Sequence, residues 1–428
     1  MVVTNHAVHR LLGTFWMLLL SGNVCICAAF RMEVSLDSLP HTALFLAGYY
    51  GDRITVVDST CSDGAGRAVF CGSRLPQGLY ILTAPGKFRC DFLLAEEQEI
   101  RIEIKHKRIS VSGNRQTEAY ADYLLLEESQ PTGQQLNDYR EKLVASYPGT
   151  FLSAYMSALQ PVHYPFHPQP DERTQMMDEY RYRRQHFFDH IDLSDTRLLH
   201  TPLYAETVGY YFSQFVTQQA DTLISAAYRL LRKASGSCET FFFMMDFLAD
   251  YSLRAPIEHI ERLYHFLQPN RCMLSGKAIS MLPANEKGVK FTLPEEENIC
   301  ERLVSVTYSG TNGENFNFSQ TEHRFRIFYY WDAACPRCLS DAASWQRIMN
   351  TYRSKSCESI AAHICGLPPG NSLLSSFTNI YTSDFTGCER LFLVHDYAKT
   401  VLVGQDGEIL GIFGSMQALD AFLNQITR

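Results

Sequence analysis

The sequence predicts a multidomain protein with an N-terminal all-β sandwich, an all-α middle region and a C-terminal α/β domain. Runs of β-branched and aromatic residues separated by turn residues occupy positions 30–113. Apolar residues at helical spacing follow over positions 114–300, and strands alternate with helices over positions 301–428. The total of 428 residues accommodates these segments as two or three domains.

The first segment has the alternating pattern of half-buried strands. Three isoleucines between Ile100 and Ile104 fall on one face of a strand, and charged residues fall on the other. Further strands are predicted at 41–47, 53–57 and 78–82, because turn residues separate these runs. Residues 30–113 are therefore predicted to form a small all-β domain.

The middle segment, residues 114–300, has the period of helices. One long helical stretch is predicted from Tyr204 to Leu231, and two more helices are predicted at 241–251 and 257–267. Four prolines between 161 and 170 predict an extended break. The cluster of aromatic residues and methionines at 241–245 is interpreted as core and not as a ligand-binding site, because such residues are usually buried.

Residues 1–29 are typical of a secretory signal peptide. Arg10 precedes a short apolar run, and Ala28 and Ala29 provide small residues for cleavage. An uncleaved membrane anchor is the alternative, although Gly and Asn residues interrupt the apolar run. A lipid anchor on Cys25 or Cys27 is a third option, ranked lower because bulky residues precede both cysteines. The protein is expected in the periplasm or cell envelope.

Net charge and cysteine content bear on the partners and the chemistry that the protein can have. A net charge of -8 and a pI near 6.0 give no electrostatic reason to expect nucleic acid as a partner. The sequence has 13 cysteines, and loss of Cys25 and Cys27 with the signal leaves 11. In an oxidising compartment, an odd number leaves at least one thiol unpaired or reserved for chemistry.

The last segment, residues 301–428, has the pattern of an α/β sandwich. A strand at Phe325–Trp331 and a helix at Leu339–Tyr352 are followed by strands at 360–365, 400–403 and 408–413. In the first helix, Leu339, Ala342, Ala343 and Ile348 are expected to face inward. Ser415 is expected to cap a final helix, whose inward residues are Leu419, Phe422, Leu423 and Ile426.

A Cys335-Pro336-Arg337-Cys338 motif lies between the predicted apolar strand and the predicted helix. Proline favours the first helical position, which makes Cys335 the N-cap. Free backbone N–H groups and the helix dipole stabilise a thiolate there, and Arg337 adds positive charge. Cys335 is therefore the predicted nucleophile. Cys338, one turn into the helix, is the predicted resolving thiol.

Other interpretations of these residues stay open. The two cysteines could be half of a zinc site, a static disulfide or a relic on a redox-silent domain, although no second pair has matching zinc-ligand spacing. His186 and His190 lie one helical turn apart beside two aspartates, but Asp195 or Ser194 is explained more simply as a helix N-cap. No metal or cofactor is predicted.

The stretch Phe328 to Cys338 resembles the thioredoxin motif, with Trp331 at the matching spacing before the cysteine pair. The stretch 399–409 resembles a later strand, hairpin and strand of the same fold. The stretches 147–152 and 186–202 resemble a helical domain of unknown function found before thioredoxin domains in Gram-negative envelopes. The resemblance implies a periplasmic, TlpA/ResA-like thiol-disulfide oxidoreductase. Its implied partners are envelope proteins with thiols or disulfides, and a membrane redox donor.

Two residues depart from the thioredoxin pattern. Lys399 occupies the place of the cis-proline, and a trans bond is expected before it because a cis bond there costs about 3–4 kcal/mol. Tyr329 occupies the place of a buried acid. The missing cis-proline favours a second hypothesis, in which the protein is a redox-silent envelope module that binds proteins or peptides. The intact cysteine pair favours the oxidoreductase.

Overall fold

The computed structural model describes most of the chain between Ala29 and Thr427. The described residues are 29–37, 39–105, 108–282, 290–294, 308–310, 315–316, 323–331, 336–352, 357–363, 374, 376–381 and 399–427. The predicted signal peptide lies outside them, apart from Ala29. No helix within these residues is long and apolar enough to cross a membrane.

The chain divides into two compact units, residues 1–156 and 157–428. This division, after residue 156, lies between the domain boundaries predicted after residues 113 and 300. Those two boundaries stay predictions. The first unit has eight described strands: β1 (Phe30–Leu36), β2 (Ala43–Tyr50), β3 (Arg53–Cys61), β4 (Arg67–Gly72), β5 (Gly78–Ala84), β6 (Phe88–Leu94), β7 (Glu99–Lys105) and β8 (Arg108–Ser112).

These strands form two four-stranded sheets with the orders β4-β1-β7-β8 and β3-β2-β5-β6. Alternate residues of both sheets share one apolar core, which includes Met32, Leu46, Phe92 and Ile102. The alternation predicted for Ile100 to Ile104 is confirmed, because all three isoleucines are buried. The predicted strands are longer in the structure, and β1, β4, β6 and β8 were not predicted.

Three helices complete the first unit: α1 (Arg115–Glu128), α2 (Gly133–Ser146) and α3 (Phe151–Ala158), which crosses the division between the units. The Asn114 side chain caps α1 by accepting hydrogen bonds from two backbone amides. Thr117 ties α1 to the sandwich, since its hydroxyl donates to the Leu93 carbonyl at 2.8 Å. The helical residues 115–156 therefore belong to the same compact unit as the sandwich.

The helices in the first part of the second unit are α4 (Glu172–His186), α5 (Thr196–Leu199), α6 (Pro202–Gln214), α7 (Ala220–Ala234), α8 (Cys238–Arg254), α9 (Glu261–Asn270) and α10 (Gly276–Ser280). The single helical stretch predicted at 204–231 is wrong, because the chain breaks between α6 and α7. The Gln218 amide donates to the carbonyls of Phe212, in the last turn of α6, and Val216, in the connection, at 2.8 and 2.7 Å.

The second unit also contains an eight-stranded sheet of described residues, in the order β11-β10-β14-β13-β12-β15-β16-β9. Its strands are β9 (Cys272–Leu274), β10 (Tyr308–Gly310), β11 (Asn315–Phe316), β12 (Phe325–Trp331), β13 (Cys357–His363), β14 (Thr378–Tyr381), β15 (Lys399–Gly404) and β16 (Ile409–Phe413). The predicted bounds of β12 are confirmed. β9 corrects the purely helical prediction for residues 114–300, because it pairs antiparallel with β16.

An exposed ion-pair cluster lies beside β9, where α10 meets the turn between β15 and β16. The Lys277 ammonium donates to Asp406 at 2.7 Å and to Glu408 at 2.8 Å. The hydrogen bond from Lys277 lowers the pKa of the Asp406 carboxyl. These ion pairs therefore link α10 to the turn that precedes β16.

Two helices pack on the eight-stranded sheet, α11 (Pro336–Tyr352) and α12 (Met416–Ile426). Ser415 caps α12 as predicted, accepting from the Ala418 amide at 3.1 Å, and the predicted inward residues of α12 are buried. The inward face predicted for α11 is partly wrong, since Leu339 is 42% exposed and Ala343 is exposed. The buried residues of α11 are Cys338, Ala342, Trp345, Met349 and Tyr352.

Candidate active site

The candidate site is built on β12, whose seven residues are all buried. β12 is paired on both sides, parallel to β13 and antiparallel to β15. Along the chain, α11 lies between β12 and β13. It is therefore the crossover helix that connects these two parallel strands, a connection that is normally right-handed.

The strand ends at Trp331 and the helix begins at Pro336. Proline is favoured at a first helical position because its missing N–H would have no intrahelical partner there. The predicted role of Pro336 is therefore confirmed. Cys335 precedes Pro336 in the sequence and lies outside the described residues, as does the Arg337 side chain.

Cys338 lies in the first turn of α11 and is 4% exposed. It belongs to the hydrophobic core around the eight-stranded sheet, together with Ala342 and Trp345. A thiol so deeply buried is shielded from large external disulfides. This burial fits the predicted resolving role, in which only a neighbouring cysteine of the same chain needs to reach Cys338.

Tyr329 lies beneath the start of α11. Its hydroxyl donates a hydrogen bond to the backbone carbonyl of Cys338 at 2.8 Å. Its ring stacks on Trp345, with centroids 5.2 Å apart and planes 21° apart. Both rings are fully buried, so the hydroxyl fixes the first helical turn against β12. The sequence singled out Tyr329 only as a replacement for an acid.

Trp345 and Phe377 belong to the same hydrophobic core as Cys338, and sequence reasoning missed both. Their rings meet edge to face, with centroids 4.7 Å apart. Trp345 could have been found from its spacing, because it lies seven residues after Cys338 and therefore two helical turns along the same face. Phe377 has no comparable local signal.

Lys399 is the first residue of β15, and its backbone pairs with that of Tyr330 in β12. The register therefore places the Lys399 backbone at the end of β12 that leads to the cysteine motif. Ala398 and the side chain of Lys399 lie outside the described residues, so the expected trans bond is not among the described geometry.

Two cysteines outside the motif, one in each unit, are buried thiols with raised pKa values. Cys272 in β9 is buried, and this burial raises the pKa of its thiol to about 12. Cys90 in the sandwich is likewise raised to a pKa of about 12, chiefly by burial. Both therefore stay protonated near neutral pH and are poor nucleophiles.

The alternative histidine site has a local explanation. The Nδ1 atom of His186 lies 2.6 Å from the Asp189 carboxylate, and the His186 ring stacks on Tyr182. Asp195 is the N-cap of α5 and accepts from the Arg197 amide at 3.0 Å, as predicted. The described residues include no group of three or more side chains that could hold a metal ion.

No protein-family model and no curated protein matches the sequence. Among solved structures, the chain is similar to a secreted Mycobacterium tuberculosis disulfide oxidoreductase homologous to E. coli DsbE. The identity is 20% and the TM-score 0.23, over 29% of this chain and 97% of that one. A thioredoxin-like protein from Bacteroides caccae is 14% identical with a TM-score of 0.26, over 62% and 99% of the two chains. A Chlorobium tepidum protein described as a putative thiol:disulfide interchange protein DsbE is 16% identical with a TM-score of 0.24, over 28% and 92%.

Proposed function

We propose that this protein is an exported thiol-disulfide oxidoreductase, with Cys335 as the attacking thiol and Cys338 as the resolving thiol. The observation that carries the proposal is the start of α11 at Pro336, which buries Cys338 in the first helical turn. A cysteine directly before such a helix is favoured as a thiolate by the unpaired amides and the positive helix end.

In the proposed reaction, the Cys335 thiolate attacks one sulfur of a substrate disulfide. The substrate S–S bond breaks, a Cys335–substrate disulfide forms, and the second substrate sulfur leaves as a thiolate that takes up a proton. The deprotonated Cys338 sulfur then attacks Cys335, which forms the Cys335–Cys338 disulfide and releases the first substrate sulfur. The substrate gains two electrons and the motif loses two. A dithiol reductant restores the motif.

We further propose that the protein acts in the periplasm or cell envelope on proteins with thiols or disulfides. The supporting sequence feature is the signal-like segment 1–29. Phe30, directly after that segment, is buried as the first residue of β1, so cleavage before it leaves the strand intact. A membrane redox donor is the proposed source of electrons.

The alternative is a redox-silent module that binds proteins or peptides. The observation that favours it is Lys399, which begins β15 at the motif end of the sheet in place of proline. Under this alternative, the cysteine pair contributes no exchange activity.

An insulin-reduction assay with dithiothreitol as electron source separates the two functions. Wild type should accelerate the precipitation of reduced insulin, and Cys335→Ser should reduce the rate to the background reaction. Cys61→Ser is the control, because Cys61 is an exposed thiol on β3 and removing it leaves the motif intact. Equal rates for wild type, Cys335→Ser and the no-protein reaction would leave the binding module as the better function.

A trapping experiment tests the order of the two thiols. With Cys338→Ser, the mixed disulfide on Cys335 has no internal thiol to resolve it. A covalent substrate adduct that is sensitive to reductant should therefore accumulate on Cys338→Ser, and it should be absent from Cys335→Ser. Adducts on Cys335→Ser alone would reverse the assignment of the two roles.

A further inference from the structure

A cavity of about 400 Å³ lies among the helices of the second unit, lined in part by α4, α6 and α7. Its volume is within the range of small-molecule sites, about 300–1,000 Å³. Four cationic side chains contribute to its lining, and no carboxylate does: the cations are Arg181, Arg184, Arg229 and Lys233.

The four cations have no ion pair or side-chain hydrogen bond with any described residue. Arg183 on α4, which is outside the cavity lining, instead pairs with Glu179 at 2.7 Å. Lone cations often lie at helix C-termini, where they meet the negative end of the helix dipole. That explanation covers Arg184 and Lys233, which are in the last turns of α4 and α7. It does not cover Arg181 or Arg229.

The helix ends do not neutralise this charge. Each C-terminus contributes about half a negative charge, so two of them offset about a quarter of four positive charges. The lining therefore keeps an excess of positive charge, which favours an anionic ligand.

The floor of the cavity is apolar. Phe188 and Tyr211 line it and are buried, with ring centroids 4.8 Å apart. Ala226 and Leu230 of α7 add aliphatic surface and are also buried. The Tyr211 hydroxyl makes no hydrogen bond within the part of the chain that the structure describes, so it remains available as a donor. A small inorganic ion would leave this apolar surface uncovered.

We propose that this cavity binds a small organic anion with an apolar body, such as an aromatic phosphate ester or carboxylate. The arginines and the lysine hold the anionic group, and Phe188 and Tyr211 pack against the body. Arginine is suited to this task because its fork of donors matches phosphate and carboxylate geometry. The proposal does not depend on the cysteine motif.

The test is calorimetric titration of the full mature chain with 1-naphthyl phosphate, 1-naphthol and inorganic phosphate. We expect 1-naphthyl phosphate to bind more tightly than either of the other two. Arg184→Gln combined with Arg229→Gln should weaken it by about tenfold or more, because each substitution removes a charge-assisted interaction. Affinity should also fall as salt is raised.

The matched control combines Arg173→Gln with Arg232→Gln. It removes one cation from each of the same two helices, at positions outside the cavity lining. The control should bind 1-naphthyl phosphate within about twofold of wild type, and circular dichroism checks the fold of both double variants. Wild type that fails to bind, or equal losses in both double variants, would overturn the proposal. Equal affinity for inorganic phosphate would overturn the role of the apolar floor.

Discussion

Removing the hydroxyl of Tyr329 tests whether it fixes the start of α11. Tyr329→Phe keeps the ring that stacks on Trp345 and deletes only the donor to the Cys338 carbonyl, a 2.8 Å bond in a fully buried environment. A typical intramolecular hydrogen bond contributes about 0.5–1.5 kcal/mol net. We therefore expect the free energy of unfolding to fall by about 1 kcal/mol. For a unit of this length, the melting temperature should fall by about 2 °C.

Tyr204→Phe is the matched control in the same unit. Its hydroxyl donates to the Leu193 carbonyl at 2.7 Å and is equally buried, but it lies in the helical part of the unit. Calorimetry should show a similar decrease in melting temperature for both variants. Only Tyr329→Phe should also speed hydrogen exchange in α11 beyond the increase that global destabilisation causes. An unchanged melting temperature for Tyr329→Phe, or equally fast exchange of α11 in Tyr204→Phe, would refute the reasoning.

Three further predictions use other parts of the chain. Gly66 and Gly86 both have left-handed backbones, with φ of 73° and 72°, but only at Gly66 would an added Cβ collide with a backbone carbonyl. The left-handed backbone alone should make alanine cost about 1–2 kcal/mol at Gly86, and urea unfolding should show a larger loss for Gly66→Ala because of the added collision. Iodoacetamide at pH 8 should label exposed Cys61 in the folded protein and spare Cys90 until guanidinium unfolds it, since burial raises the pKa of Cys90 to about 12. Asp406 has a lowered pKa because of its lysine partner, so it stabilises the fold above pH about 4 and this contribution disappears as pH falls through the lowered pKa. The stability difference between wild type and Asp406→Asn in acid titrations should accordingly vanish at low pH.

The sequence was most informative where the pattern is local. β12 could be bounded because its run of apolar residues is continuous, which is typical of a strand buried on both faces. α12 could be bounded because Ser415 caps it and its apolar residues recur at helical spacing. The same features place the cysteine motif between a buried strand and a helix that begins with Pro336.

Long-range pairing could not be predicted in the same way. β9 has three residues and no distinctive composition, and it becomes a strand only because β16, far away in sequence, presents an edge to it. The predicted inner face of α11 was wrong at residue 339, where leucine was expected in the core because leucine is usually a core residue. In the structure, Cys338 sets the buried face instead, and that face runs through Trp345.

Lys399 distinguishes the two proposed functions through its position in the sheet. It is the first residue of β15, where proline is tolerated because a strand end can lose one N–H donor. The sheet therefore does not require lysine at this position. We expect Lys399→Pro to stay folded by circular dichroism and to raise the rate of insulin reduction, as the resemblance to thioredoxins implies. Lys399→Ala is the control that removes the charge without restricting the backbone. A folded Lys399→Pro variant with no more activity than Lys399→Ala would show that lysine at this position is not what limits disulfide exchange.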